Sequence, residues 1–126
     1  MLWTEGLVLL QKRSFQSKLL PGGWGVFGGH VEAGESTSQT AVREIEEELS
    51  VSLDPNQLRE LCTLEVQRTD ALYVTHYFSS ELPVALAEIS LQEGIGFSLW
   101  SKDEIPQLHL AHEDFSAVQN YFDSDR

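Results

Sequence analysis

The sequence predicts a single mixed α/β (α+β) domain spanning residues 1–126. Three observations predict it. Runs of strand type lie at 7–13, 59–68 and 71–79, the last rich in β-branched and aromatic residues. Two stretches, 36–49 and 112–122, carry the three-to-four-residue spacing of helices. A chain of 126 residues is also the right length for one sizeable core.

Each element follows in order. Residues 1–3 form a short strand, 4–6 a turn and 7–13 a longer strand. Residues 14–25 form a loop built on Pro21-Gly22-Gly23, and Val26-Phe27 a second short strand. Ser36 is an N-cap with Gln39 three residues on, the sequence form of a capping box. Ala41, Ile45 and Leu49, with Val42 beside them, then give the helix over 36–49 one apolar face. A turn at 54–56 precedes the two strands at 59–68 and 71–79, and 97–100 is a late short strand. Ser101 caps a short turn over 103–108. The second helix, 112–122, points Phe115, Val118 and Phe122 inward.

Composition narrows the function. Eight basic against 20 acidic residues give a formal net charge of −12, which argues against a nucleic-acid polymer or an anionic membrane as partner. The single cysteine, Cys62, has no partner for an internal disulfide and reads as a core thiol. No signal peptide and no apolar run of spanning length is seen, so a cytoplasmic address is the expectation. Repeats and low-complexity segments are absent.

The acids are not spread evenly. Glu32, Glu35, Glu44, Glu46, Glu47 and Glu48 crowd a glycine-rich loop and the helix that follows it. Helical geometry places Glu44 and Glu48 together beside the apolar face, with Glu47 about 60° round from Glu44. Two carboxylates roughly 6 Å apart repel by about 0.7 kcal/mol in water and about 3 kcal/mol at an effective dielectric of 20. On a wet face that cost is small, and a solvated acidic helix is one reading of these acids. Beside a packed stripe the cost demands a cation, and hard oxygen donors suit Mg²⁺ or Mn²⁺.

The full pattern is more specific. Gly29, Glu35, Arg43, Glu44, Ile45, Glu47, Glu48 and Val51 resemble the Nudix box, G-x5-E-x7-R-E-U-x-E-E-x-G-U, where U is aliphatic. Ser50 departs from it, standing where the pattern has glycine at a left-handed helix end. Residues 27–32 and 7–13 also resemble the family's approach loop and preceding strand. The resemblance, to a MutT-like small member, implies an α/β/α sandwich around a mixed sheet. It also implies divalent-metal hydrolysis of a nucleoside diphosphate linked to another group, with Mg²⁺ (or Mn²⁺) as cofactor. Carried over residue by residue, Glu44, Glu47, Glu48 and the Gly28 carbonyl would ligate metal. Arg43 would hold the carboxylates, and Glu35 would tie loop to helix or reach a metal through water. The general base would be a box glutamate, Glu44 or Glu47, or Glu93 from a distant loop. Family members usually carry more residues before the first strand, so either the chain starts late or a sheet edge stands open to a partner.

Markers outside the box bear on substrate. The proline seen beyond the box in ADP-ribose pyrophosphatases and the tyrosine of dinucleotide hydrolases have no match here, and the coenzyme A and NADH motifs are missing. What remains resembles enzymes acting on nucleoside triphosphates, including modified ones. Trp24 and Phe27 are candidates to stack on a base, and His112 to contact its edge where an oxidised-guanine reader has asparagine. The small-molecule nucleotide is the expected partner, with the protein a monomer or homodimer. An ADP-ribose or nucleotide-sugar pyrophosphatase and a non-catalytic nucleotide-sensing module are the alternatives. An isopentenyl diphosphate isomerase is disfavoured, because Cys62 sits outside any such motif.

Overall fold

The computed structural model describes residues 1–124. In chain order it contains β1 (Leu2–Thr4), β2 (Leu7–Lys12), β3 (Trp24–Gly25), α1 (Thr37–Leu49), β4 (Arg59–Gln67), β5 (Leu72–Glu81), β6 (Gly96–Trp100) and α2 (His112–Asp123). Three short 3₁₀ turns lie at Pro55–Gln57, Leu86–Glu88 and Ile105–Gln107.

The strands join in a mixed six-stranded sheet with order β3-β2-β1-β5-β4, and β6 pairs with β2 off this path. β2 pairs with β1 through Leu7 to Leu9 and with β3 through Gln11 and Lys12, so those two share one edge of β2. β6 runs along the other edge through Val8 to Lys12. The β1–β2 hairpin turns on Glu5 and Gly6, both at positive φ, as a two-residue hairpin matched to strand twist requires. β1 lies between β2, antiparallel, and β5, parallel. The expectation of an open sheet edge at the first strand is therefore corrected: three residues suffice because both neighbours are in place.

Alternation along β2 explains the layers. Leu9 points to one face and packs with Leu2, Phe27, Ile45, Leu49 and Leu82 beneath α1. Val8 and Leu10 point to the other and pack with Ile105, Val118 and Tyr121 beneath α2. A strand buried on both faces reads as an unbroken apolar run, as residues 7–10 do. The architecture is the expected α/β/α sandwich.

Two boundaries differ from the sequence reading. The short strand after the loop is Trp24–Gly25 and not Val26-Phe27, because the pairing atoms of residues 24 and 25 meet Lys12 and Gln11. The buried stripe of α2 is Asp114, Ala117, Val118 and Tyr121, whereas Phe115 and Phe122 are only half-buried on its flanks. That stripe keeps strict helical spacing, but one of its members, Asp114, is charged and another, Ala117, is small, so an apolar count misses the rotation. No helix among the described residues is long and apolar enough to cross a membrane.

Candidate active site

Helix α1 begins as its sequence specifies. The Ser36 hydroxyl accepts from Gln39 N and the Gln39 side chain accepts from Ser36 N, a complete capping box. It ends at Ser50, which takes the left-handed conformation (φ 56°, ψ 38°) and donates its N–H to Glu46 O at 2.9 Å. The serine thus adopts the turn for which the motif has glycine, at a steric cost.

Arg43 is the hub of the preceding loop. Its Nε donates to Glu35 Oε2 at 2.6 Å and its Nη2 to Glu35 Oε1 at 3.1 Å, a bidentate pair. Nη1 reaches Glu44 at 2.9 Å and Glu47 at 3.1 Å, and Nη2 also donates to the His30 carbonyl at 3.1 Å. Glu35 accepts further bonds from Glu32 N and the Thr40 hydroxyl. The Arg43 guanidinium, with these donors, holds the Glu35 carboxyl down to about 2. The loop carrying Gly28 and Gly29 is thereby fastened to α1. Glu44 lies so close to Gly29 that a Cβ there would run into its carboxylate.

Glu48 behaves oppositely. It is buried, 3% exposed, and its Oε2 has no hydrogen-bond partner among the described residues. Burial pushes its carboxyl up to about 9, and the facing carboxylates of Glu93 and Glu44 add to the rise. Glu93 arrives from far along the chain because residues 90–92 cap the end of α1: Ser90 N donates to Leu49 O at 3.0 Å and Gln92 N to Glu48 O at 2.7 Å. Gly94, at φ +78°, then turns the chain close under the Lys12 carbonyl.

A cavity of about 880 Å³ opens from this acidic end. Glu48, Glu93 and Gly28 line it there, and Phe27 forms part of its wall. Arg13, Tyr77 and Asp114 also line it. Neither Glu44 nor Glu47 lines this cavity: Arg43 holds both, and Glu47 lies on the exposed side of α1. Trp24 and His112 do not line it either. Trp24 packs edge-on against Trp100 with centroids 5.0 Å apart and lies under the Lys12 ammonium. His112 is exposed at the first position of α2, since burial of its neighbours Ala111 and Asp114 turns it outward.

Arg13, Tyr77 and Asp114 were missed by the sequence reading. Asp114 is 6% exposed; its Oδ1 accepts from the Tyr77 hydroxyl at 2.8 Å and its Oδ2 from Val26 N at 3.4 Å. Burial raises the Asp114 carboxyl and, with Asp114 beside it, the Tyr77 phenol. An Asp two residues into a helix ordinarily signals only a favourable dipole, so nothing local announces this one.

The acidic end fits a divalent cation by its chemistry. The donors are hard oxygens, and the buried Glu48 Oε2 faces other carboxylates that, when ionised, have no proton to offer it. Among the described residues no three acidic, His or Cys side chains already stand in a ligating arrangement, and Arg43 holds Glu44 and Glu47.

Comparison with known proteins agrees with this geometry. No curated protein matches the chain in sequence. Among solved structures, the MutT NUDIX hydrolase of Burkholderia pseudomallei superposes with a TM-score of 0.80 at 25% identity, over 94% of this chain and 91% of that one. The Escherichia coli dihydroneopterin triphosphate pyrophosphohydrolase gives 0.77 at 20% identity over 96% and 90%. The NUDIX domain of Shewanella oneidensis NrtR, solved with ADP ribose, gives 0.75 at 20% over 95% and 79%. The family model described as NUDIX domain matches residues 2–121, and with nearly the whole chain inside that match the protein belongs to the NUDIX family.

Proposed function

We propose that this protein hydrolyses a nucleoside triphosphate, ordinary or modified, to the monophosphate and pyrophosphate. The observation that carries the reading is the meeting of Glu48 with Glu44 and Glu93 beside a buried carboxylate oxygen, with Glu48 and Glu93 lining one nucleotide-sized cavity. Glu44, Glu47, Glu48 and the Gly28 carbonyl would hold Mg²⁺ or Mn²⁺. Such ions neutralise phosphate oxygens in an in-line displacement.

The chain's own residues supply the rest. Glu93 accepts the proton of the attacking water as its oxygen bonds to phosphorus and the α–β bridging P–O bond breaks. Arg43 fixes loop to helix, so the Gly28 carbonyl and the glutamates keep one relative placement. Phe27 lends an apolar wall to the base side of the cavity. His112 and Trp24 would need to move to touch a bound nucleotide, and the reading does not depend on them.

Incubation of the purified protein with a nucleotide panel and Mg²⁺, with separate detection of pyrophosphate and orthophosphate, tests the proposal. Pyrophosphate release from triphosphates is expected. Orthophosphate release from the best triphosphate, or a higher kcat/KM on ADP-ribose than on any triphosphate, would overturn it. Binding without turnover would mark a sensor.

A further inference from the structure

A second group of side chains on the cavity wall is built for a ligand of its own. Arg13 Nη2 stands 3.9 Å from Asp114 Oδ2, outside hydrogen-bonding distance, and both side chains line the cavity. The Arg13 Nε is buried and has no hydrogen-bond partner among the described residues. Asp114 Oδ2 has only the long 3.4 Å contact from Val26 N. An arginine and an aspartate this close ordinarily close into a bidentate fork. Here they are held short of it, and each keeps unused capacity. Gly25 makes the approach possible: a Cβ at that position would lie 2.9 Å from Arg13 Nη2 and 3.1 Å from Asp114 Oδ2.

We infer that Arg13 and Asp114 read the edge of a 2-amino-4-oxopyrimidine ring, the edge shared by guanine and pterins. This rests on the proposed nucleotide hydrolysis and names the base it acts on. An ionised carboxylate only accepts, so it selects adjacent N–H donors. Guanine offers two side by side, the ring N–H and the 2-amino group, with a carbonyl acceptor next to them for the guanidinium. Adenine and cytosine each place a single amino donor beside a ring acceptor, which would meet the carboxylate with a lone pair. Uracil places one N–H between two carbonyls. Asp114 still has lone pairs to accept with, because Tyr77 occupies only Oδ1. The Tyr77 hydroxyl fixes the carboxylate plane, so the acceptor pair is oriented before the base arrives.

A site whose buried polar groups are left unpaired by the wrong ligand discriminates strongly. Guanine nucleotides should therefore exceed adenine, cytosine and uracil nucleotides by at least about 100-fold in kcat/KM. Oxidation at C8 leaves the edge unchanged, so dGTP and 8-oxo-dGTP should stay within about tenfold of each other.

The test pairs binding with turnover. Calorimetric titration with GMP, AMP, CMP and UMP reads recognition without hydrolysis, and the triphosphate panel with Mg²⁺ reads both. Preferential GMP binding is expected, with Asp114→Asn and Arg13→Gln each weakening it at least about 10-fold while AMP binding changes little. Arg13→Gln leaves the Asp114–Tyr77 bond in place, so it guards against misfolding of the aspartate variant. Dihydroneopterin triphosphate in the panel separates a pterin from a guanine source of the same edge. Hydrolysis of triphosphates without guanine or pterin preference would overturn this inference and leave the proposed reaction standing. GMP-selective binding with no turnover of any nucleotide would do the reverse.

Discussion

Glu48→Gln separates stability from function. The wild-type carboxyl is buried and carries a folded-state value of about 9 against an ordinary 4.5. The folded state therefore binds its proton more tightly than the unfolded chain between those values. Its contribution to stability is fully present below pH 4.5 and is lost as pH rises toward 9. Holding that proton at pH 8 corresponds to roughly 5 kcal/mol at most. Local relaxation and the high effective dielectric of real interiors reduce this to about 2 kcal/mol. Glutamine keeps the shape, carries no charge and offers a donor to Glu93, so it escapes the loss. The variant should be about 2 kcal/mol more stable than wild type at pH 8 in excess EDTA, and about equal to it near pH 4.5. Urea denaturation at the two pH values measures both gaps. Millimolar Mg²⁺ should narrow the pH 8 gap by stabilising wild type alone. In activity the same variant should lose at least about 10³-fold in kcat, near 4 kcal/mol. A variant less stable than wild type at pH 8, or a gap that ignores pH, would refute the reasoning.

Other expectations follow from the same geometry. Excess EDTA should abolish turnover, and full activity in its presence would remove the metal from the proposal. Glu93→Gln should lower kcat steeply with little change in Mg²⁺ affinity; a fall below about tenfold would pass the base role to Glu44 or Glu47. Ser50→Gly should stabilise the fold by about 1 kcal/mol in urea, because it relieves a left-handed serine, and an unchanged midpoint would show no strain there. Hydrolysis in ¹⁸O-enriched water should place label in pyrophosphate, marking attack at the β-phosphorus; label in the monophosphate would assign it to the α-phosphorus.

Much of the fold was legible because it is locally encoded. The α1 cap, its apolar face and its acids sit within 16 residues, and their spacing is the helix's own. The Glu93 loop was legible only through family resemblance, since no periodicity links residue 93 to residue 48. Trp24–Gly25 eluded the reading because a strand of two residues has no alternation to detect. Asp114 was invisible for a different reason. Its partners Tyr77 and Val26 lie 37 and 88 residues away, and a carboxylate in a helix's first turn looks like ordinary dipole chemistry. Trp24 and His112 show the converse: residue types suited to a base, but placed elsewhere by packing and by helix phase.

The parallel pairing of β1 with β5 has a kinetic consequence. Leu2 meets Ser80, so the sheet closes only when a loop of nearly the whole preceding chain has been gathered. The β4–β5 hairpin and α1 have no such requirement, as their contacts are local. Loop-closure entropy grows with the span, and folding slows as contacts become less local. On refolding, helical circular dichroism and hairpin protection should therefore appear before amide protection of β1.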